Sequence, residues 1–147
     1  MRVEQFKKLD YYHIEIDSRC GFFDWASDKG QIAGMFETME KMQSFWSVWD
    51  GNEVILIYGL IELWPGVADI SLFYSVDFFK HYRFLCKHLK YVFSCTTTLY
   101  SRLQMYCLKD PRFLRFGQFF GFEVEGVLRK YGKKGEDYYI LSWIKED

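Results

Sequence analysis

The chain has 147 residues, carries a formal net charge of −1, and is half apolar, with 15 Phe, 11 Tyr and 5 Trp. This composition excludes an intrinsically disordered chain and suffices for one domain, which we expect to span residues 1–147. No uncharged apolar run approaches the ~18 residues that a membrane-spanning helix needs. The opening stretch MRVEQFKKLD lacks the apolar core of a signal peptide, so we expect neither membrane insertion nor secretion through such a signal.

Charge is distributed unevenly along the chain. Residues 1–77 contain 13 Asp and Glu against 6 Lys and Arg, whereas residues 78–134 contain 12 Lys and Arg against 3 Asp and Glu. Such an asymmetry can steer an acidic ligand or partner toward the second half. An ordinary solvated surface is the alternative interpretation.

The first 44 residues give the weakest structural signal, and residues 45–147 form the predicted core. KKLDYYHIEI fits either a strand or a short helix, and FETMEKMQSF (residues 36–45) has helical spacing. The next stretch, FWSVWD, predicts a short strand that ends in an Asp-Gly-Asn hairpin turn. Two further strands are predicted, at residues 53–64, which we expect to be buried on both faces, and at residues 67–75.

A helix is predicted after Asp77, a residue that suits the N-cap position. Apolar residues recur at steps of three and four along one side of this helix, at Phe78, Tyr82, Leu85, Leu89 and Val92. A basic stripe lies on the opposite side and consists of Lys80, Arg83, Lys87 and Lys90. We predict that this stripe binds a partner, with an ordinary solvated face as the alternative.

The remaining elements complete an α+β (mixed α/β) domain. Residues 99–108 alternate as a strand, and Asp110 and Pro111 open a second helix as its N-cap and first residue. That helix has to end near Gly121, and residues 122–131 and 137–144 predict a C-terminal β-hairpin. From Phe45 onward the predicted order is β-β-β-α-β-α-β-β.

This order, combined with the stretch DPRFLRFGQFFGF (residues 110–122), resembles the GNAT acetyltransferase superfamily over residues 44–147. The family has a twisted mixed sheet, a central helix after the fourth strand, and a late pattern of Asn-Pro-x-Ala, a Tyr four residues on, and Gly-Phe. The corresponding positions in this chain are Asp110 for Asn, Phe113 for Ala, Gly117 for Tyr, and Gly121-Phe122 for the turn.

The junction between the third core strand and the central helix departs from the family. Active members have a Gln/Arg-x-x-Gly-x-Gly/Ala loop there, whose backbone amides approach the diphosphate of coenzyme A. This chain has SVDFFKHYRF (residues 75–84), which places the Asp77 carboxylate and two phenylalanine rings at that point. We therefore expect no cofactor. If acetyl-CoA does bind, the resemblance implies contacts at Phe73, Tyr74, Ser75, Lys80, His81, Arg83 and Asp110.

Gly117 is the second departure, because the family's tyrosine at this place protonates the leaving coenzyme A thiolate. Glycine has no proton to give, and inside a helix it costs ~1 kcal/mol relative to alanine. We expect a compensating close approach, by Phe119, Phe120 or another backbone. If the chain is nevertheless an N-acetyltransferase acting on a protein or small amine, Glu62 is the candidate base and Tyr131 the candidate acid.

A narrower resemblance is to small GNAT-like proteins of short-tailed bacteriophages, some of them internal virion proteins. It rests on Phe73-Tyr74-Ser75, the basic helix at residues 78–93, Arg112-Phe113-Leu114 and Gly121-Phe122. It implies a non-catalytic component of a virion or its assembly, located in the virion or in the cytoplasm of an infected bacterium.

Other site classes have weaker signals. His81 and His88 lie ~10 Å apart along a helix, too far to share a metal ion, and the four cysteines have no zinc-ligand spacing, so we expect no metal and a set of buried, reduced thiols. The pI near 6.3 argues against nucleic acid as the partner. Protein partners fit better. Candidate contacts are Trp25, Trp46, Trp49 and Trp143, for each of which a place in the core is the favoured alternative.

Overall fold

A computed structural model describes residues 1–20 and 29–147 of the chain. The elements in chain order are β1 (Arg2–Gln5), a 3₁₀ turn (Lys8–His13), α1 (Lys29–Met42), β2 (Phe45–Asp50), β3 (Glu53–Trp64), β4 (Val67–Tyr74), a 3₁₀ turn (Phe78–His81), α2 (Tyr82–Thr96), β5 (Arg102–Leu108), α3 (Pro111–Phe119), β6 (Glu123–Leu128) and β7 (Tyr138–Ile144).

The strands form a seven-stranded sheet in the order β1-β2-β3-β4-β5-β7-β6. β4 and β5 run parallel, whereas β1 with β2, β2 with β3, β5 with β7, and β6 with β7 are antiparallel. The predicted α+β class is therefore confirmed, with a mixed sheet, a central helix after the fourth strand and a C-terminal pair of antiparallel strands.

The chain divides into two compact units. Unit 1 comprises Met1–Leu60 and Ser71–His81, and unit 2 comprises Ile61–Ile70 and Tyr82–Asp147. The expectation of a single domain over residues 1–147 stays a prediction.

Aromatic packing fixes α1 within unit 1. The Phe36 ring stacks on Tyr11 at 4.5 Å between centroids and lies 5.7 Å from Phe6 and 6.3 Å from Phe73. Phe36 is almost fully buried. Burial of this ring stabilises α1, whose second half was predicted from the helical spacing of residues 36–45.

Aromatic packing also joins the helices of unit 2. The Phe93 ring of α2 meets Phe120 and Phe122 edge-on at 4.9 Å and 5.7 Å. Phe122 follows Gly121, whose φ of +88° is left-handed and suits glycine. The amides of Gly121 and Phe122 donate to the carbonyls of Gln118 and Gly117, which closes α3 as a Schellman motif. The predicted Gly-Phe turn thus ends the helix and buries a core ring.

Four local predictions differ from the structure. β3 is buried on both faces over residues 54–59, but it is exposed from Glu62 onward. On α2 the buried residues are Leu85, Cys86, Leu89, Phe93 and Thr96, and the predicted core residue Tyr82 is 42% exposed. β5 begins at Arg102 because residues 97–99 form a turn after α2. Two of the four cysteines, Cys20 and Cys86, are buried as predicted, but Cys95 is exposed.

Candidate functional site

The junction between β4 and α2 is a compact turn that belongs to unit 1. The buried Ser75 accepts a hydrogen bond from the Asp77 amide at its Oγ, 3.1 Å away, and one from the Phe78 amide at its carbonyl, 3.0 Å away. The Lys80 amide then donates to the Asp77 carbonyl at 3.0 Å, which begins the 3₁₀ turn. Asp77 therefore precedes a 3₁₀ turn, and the α-helix predicted to start there begins at Tyr82.

The end of β4 has hydrogen-bond partners on both edges. The Ser75 amide donates to the Ile55 carbonyl of β3 at 2.9 Å. Ile16 forms an antiparallel bridge with Ser75, in which the Val76 amide donates to the Glu15 carbonyl at 3.0 Å. In the same bridge the Asp17 amide donates to the Tyr74 carbonyl, also at 3.0 Å.

The amides of Ser75, Val76, Asp77, Phe78 and Lys80 therefore all donate to acceptors of the protein itself. A diphosphate is held at such junctions by backbone amides that have no other partner. These five positions offer none.

Charge at the junction is paired locally. The Lys80 ammonium lies 2.6 Å from the Asp77 carboxylate. The hydrogen bond to Asp77, with the charge of Asp77 second, raises the pKa of Lys80 above its ordinary value. Lys80 is therefore the counter-ion of Asp77 in this structure.

The two phenylalanines of the junction have different surroundings. Phe78 is buried and packs against Tyr74 at 5.5 Å between centroids, whereas Phe79 is 50% exposed. The Arg19 guanidinium lies 5.6 Å from the Phe79 ring centroid, and it is held by Asp17, whose Oδ1 accepts from Arg19 Nε at 2.8 Å. The Glu15–Arg19 segment thus covers part of the junction.

The other residues implied as cofactor contacts lie on several different elements. Phe73 packs on Phe36, and the His81 Nε2 lies 3.4 Å from the Asp50 carboxylate, both within unit 1. Arg83 is exposed on α2 in unit 2. Asp110 is the N-cap of α3, where its carboxylate accepts from the Arg112 amide at 2.8 Å and pairs with the Arg112 guanidinium.

Of the two candidate catalytic residues, Glu62 is exposed near the end of β3. Its Oε2 accepts a hydrogen bond from the Tyr100 hydroxyl at 3.0 Å. Burial, followed by this hydrogen bond, raises the pKa of Tyr100. Glu62 therefore lies in solvent and not in the buried setting in which a carboxylate becomes a stronger general base.

Tyr131, the candidate acid, lies after β6 in a group of tyrosines. Its ring is nearly parallel to Tyr106 at 6.1 Å and meets Tyr138 edge-on at 5.2 Å. Burial is the main cause of a raised pKa of Tyr131, and the nearby Tyr106 and Asp69 act in the same direction. The phenol therefore holds its proton firmly at neutral pH.

Gly117 is buried, and its neighbour is a side chain of β7. A Cβ added at Gly117 would overlap the Leu141 Cδ1, and Phe122 Cβ would lie 3.9 Å from it. The predicted close approach to Gly117 is therefore present, but it is made by the Leu141 side chain and not by Phe119, Phe120 or another backbone. The glycine lets α3 pack closely against this leucine, which offsets its poor helix propensity.

The basic stripe is split by the structure. Lys80 lies in the 3₁₀ turn and is paired with Asp77, whereas Arg83, Lys87 and Lys90 are exposed on α2. Phe84, His88 and Tyr91 follow these three cations by one residue each and form an adjacent stripe. The Phe84 ring is parallel to His88 at 6.1 Å, and Tyr91 is 68% exposed.

The tryptophans differ in exposure. Trp46 is 40% exposed, Trp49 is buried, and Trp143 is half-buried, while Trp25 lies outside the described residues. Over residues 1–20 and 29–147, no helix has the length and apolar character needed to cross a membrane. The same residues contain no group of three or more His, Cys, Asp or Glu arranged to hold a metal ion.

Sequence reasoning missed the Glu15–Arg19 segment, which contacts the junction through both backbone and side chains. The alternation of Ile14, Glu15, Ile16 and Asp17 is a short strand pattern that could have indicated it. The pattern is too brief to show that its partner would be the end of β4, more than fifty residues later.

Comparisons with protein-family models and with curated protein sequences found no match. Solved structures do match along the whole chain. Ard1 from Thermoplasma volcanium has a TM-score of 0.75 at 16% identity and covers 99% of this chain and 98% of its own. A putative acetyltransferase from Acinetobacter baylyi has a TM-score of 0.71 at 13% identity and covers 98% and 92%. A GNAT-family acetyltransferase from Streptococcus pneumoniae has a TM-score of 0.70 at 14% identity and covers 99% of each chain. At these identities the likeness establishes the fold alone: the chain has the GNAT acetyltransferase fold.

Proposed function

We propose that this GNAT-fold chain does not use acetyl-CoA and acts through binding to other proteins. The observation that carries the first half is the junction between β4 and α2. Five of its backbone amides, at residues 75–78 and 80, already donate to protein acceptors. A diphosphate held by these five amides would have to replace these bonds and also approach the Asp77 carboxylate.

Exchanging these internal hydrogen bonds for bonds to a diphosphate is energetically unfavourable. The internal hydrogen bonds connect the junction with β3 and with the Glu15–Asp17 segment, so breaking them would leave buried carbonyls such as that of Ile55 without a donor. An unsatisfied buried polar group costs about 1–3 kcal/mol. Because several such bonds would be lost together, the phosphates would bind at a net disadvantage.

Gly117 supports the same conclusion for the chemical step. A side chain at this position would have to enter the space held by Leu141. A methyl group of Leu141 therefore occupies the space that the Cβ of the family's catalytic tyrosine would need.

Isothermal titration calorimetry with acetyl-CoA tests this half of the proposal. We expect no saturable heat for the wild-type protein at about 1 mM ligand, which excludes binding tighter than roughly millimolar. Asp77→Asn removes the carboxylate charge with little change of shape and is the matched variant, for which we also expect no binding. One-site binding at micromolar concentration by the wild type would overturn the proposal. Binding by D77N alone would show that charge is the main obstacle and would overturn the argument from the amides.

The binding role is proposed for the setting that the resemblance to short-tailed phage proteins implies, a virion or its assembly intermediate. Its support is that resemblance together with the exposed basic and aromatic surface of α2. The test is quantitative mass spectrometry of virions and of their assembly intermediates, both purified from an infected bacterial culture. We expect a fixed number of copies in one of the two. A chain found in neither, and migrating as a monomer in the infected-cell extract, would contradict this role.

A further inference from the structure

Three cations of α2 form one exposed stripe. Arg83, Lys87 and Lys90 follow at steps of four and three residues, so they project from one side over ~10 Å of helix. No carboxylate of a described residue pairs with them, in contrast to Lys80, Arg102 and Arg112, which all have an acidic partner. Their charges are therefore available to a partner.

Exposed rings border this stripe. Phe84 is 40% exposed and Tyr91 is 68% exposed, and both lie one residue beyond a cation. At the α3 side, Phe119 is 53% exposed and lies 5.6 Å from the Lys90 ammonium. We name these six residues, Arg83, Phe84, Lys87, Lys90, Tyr91 and Phe119, the α2 face. Aromatic residues and arginine are enriched at protein interfaces, which fits Arg83, Phe84, Tyr91 and Phe119, whereas the two lysines suit the polar rim of such an interface.

The charge of the α2 face decides which partner it fits. All six residues belong to unit 2, in which Lys and Arg outnumber Asp and Glu, whereas the reverse holds in unit 1. A second copy docked by a two-fold axis through this face would bring like charges together. A long polyanion such as nucleic acid would meet a molecule of net charge −1 and gain only three unpaired cations here.

From these observations we infer that the α2 face docks an acidic segment of another protein that carries aromatic or aliphatic side chains between its carboxylates. Carboxylates spread over ~10 Å match Arg83, Lys87 and Lys90, as in a helix with acidic residues at steps of three and four. The apolar side chains between them cover Phe84, Tyr91 and Phe119. The inference rests on the proposed binding function and names the chemistry of its partner.

Fluorescence anisotropy with two labelled polymers of about 20 residues tests the inference: poly-glutamate and a glutamate–tyrosine copolymer. We expect the full-length protein to bind both at low salt and the copolymer more tightly, because only the copolymer can cover the rings. Arg83→Glu/Lys87→Glu/Lys90→Glu is expected to weaken binding by about tenfold or more. Arg129→Glu/Lys133→Glu/Lys145→Glu is the control, with the same charge change at other exposed positions of unit 2, and is expected to bind nearly as the wild type does. Tyr91→Ala is expected to weaken the copolymer only.

Equal losses in the two triple variants would show a general charge effect and overturn the inference, as would absence of binding by the wild type. An oligothymidylate that binds more tightly than the copolymer would overturn it in favour of nucleic acid. Urea unfolding of each variant separates a binding defect from a folding defect. We expect stabilities close to that of the wild type, because the changed side chains are exposed. None of these outcomes depends on acetyl-CoA, so failure here is distinguishable from failure in the calorimetry above.

Discussion

Gly117 shows how a single residue can be conspicuous in sequence and still need the structure to explain it. Glycine inside a helix is a visible anomaly, so the sequence predicts that something packs closely there. The partner, Leu141, lies on a strand 24 residues later and has no local connection with the helix. Sequence pattern therefore identifies the position, but only packing identifies the contact.

Gly117→Ala is expected to destabilise the protein by about 1–3 kcal/mol, because its new methyl overlaps Leu141. The matched control is Gly34→Ala in α1, where an added Cβ meets nothing within 4 Å. That change is expected to stabilise by about 0.5–1 kcal/mol, the usual gain from alanine in a helix. Urea unfolding at neutral pH measures both.

The cause can be isolated with Leu141→Ala. In that background the overlap is absent, so Gly117→Ala is expected to become neutral or stabilising. The same loss in both backgrounds would show that Leu141 is not responsible.

His88 is the residue whose protonation is expected to affect folding near neutral pH. Burial lowers the pKa of His88 below its usual value of 6.5. The unfolded chain therefore binds this proton more readily than the folded chain, and the free energy of unfolding falls as the pH drops below about 6.5.

His88→Gln removes this titration. The wild type is expected to lose more stability than the variant between about pH 7.5 and pH 5.5, as measured by urea unfolding at each pH. Carboxylates contribute equally to both proteins and cancel in the comparison. Equal losses would mean that His88 titrates alike in the folded and unfolded chain.

At the scale of elements, sequence pattern was most successful where one segment contains its own signals. The bounds of β2 and β3 and the start of α3 follow from apolar runs, the Asp-Gly-Asn turn and the Asp-Pro cap. The orientation of α2 was predicted less well. The predicted apolar stripe ended at Val92, whereas the structure buries Phe93 against Phe120 and Phe122, which follow α3. The Glu15–Asp17 bridge was missed because its partner is distant in sequence.

Asp110 allows the cap of α3 to be tested as an element. Asp110→Ala removes the acceptor of the Arg112 amide and is expected to cost about 1 kcal/mol of stability. Asp110→Asn keeps an acceptor while removing the carboxylate charge, so it is expected to cost less. If the two variants are equally unstable in urea, the ion pair with Arg112 matters more than the cap.

The β4 end gives a second prediction at this scale, read by amide hydrogen exchange. The amides of Ser75, Val76 and Phe78 are expected to exchange slowly without any ligand, because each donates to a carbonyl of the protein. Asp17→Pro deletes the donor to the Tyr74 carbonyl and is expected to speed exchange at Val76. Exchange as fast as in an unstructured peptide, in the wild-type protein, would contradict the hydrogen bonds described for this junction.

For the whole molecule, the fold could be predicted and the site largely could not. The order of elements is a sum of local patterns, and these persist while individual residues change, which is why the GNAT resemblance extends to structures of low identity. A ligand site depends on which hydrogen bonds are already made. The sequence indicated Asp77 and two rings at the junction. The amides of Ser75 and Val76, however, donate to Ile55 and Glu15, acceptors distant in sequence that no local pattern identifies.

Thermal unfolding offers a measurement on the whole chain. A ligand bound with a Kd of about 10 μM would stabilise the protein by about 2.7 kcal/mol at about 1 mM, which corresponds to several degrees in Tm. We expect acetyl-CoA to leave the Tm unchanged within about one degree. If acetyl-CoA and coenzyme A both raised the Tm by several degrees, the prediction would be wrong. The protein would then bind them in a way that the geometry of the junction between β4 and α2 does not provide.

The bridge between Ile16 and Ser75 has a consequence for how the protein is made in the cell. Enzymes that bind a nucleotide tightly gain part of their stability from it, so their folded population follows the supply of that metabolite. In this chain, the bridge from Ile16 supplies the hydrogen-bond partners at the end of β4, and no ligand is needed there. On the proposed function, the folded population of this chain is therefore expected not to follow the supply of acetyl-CoA.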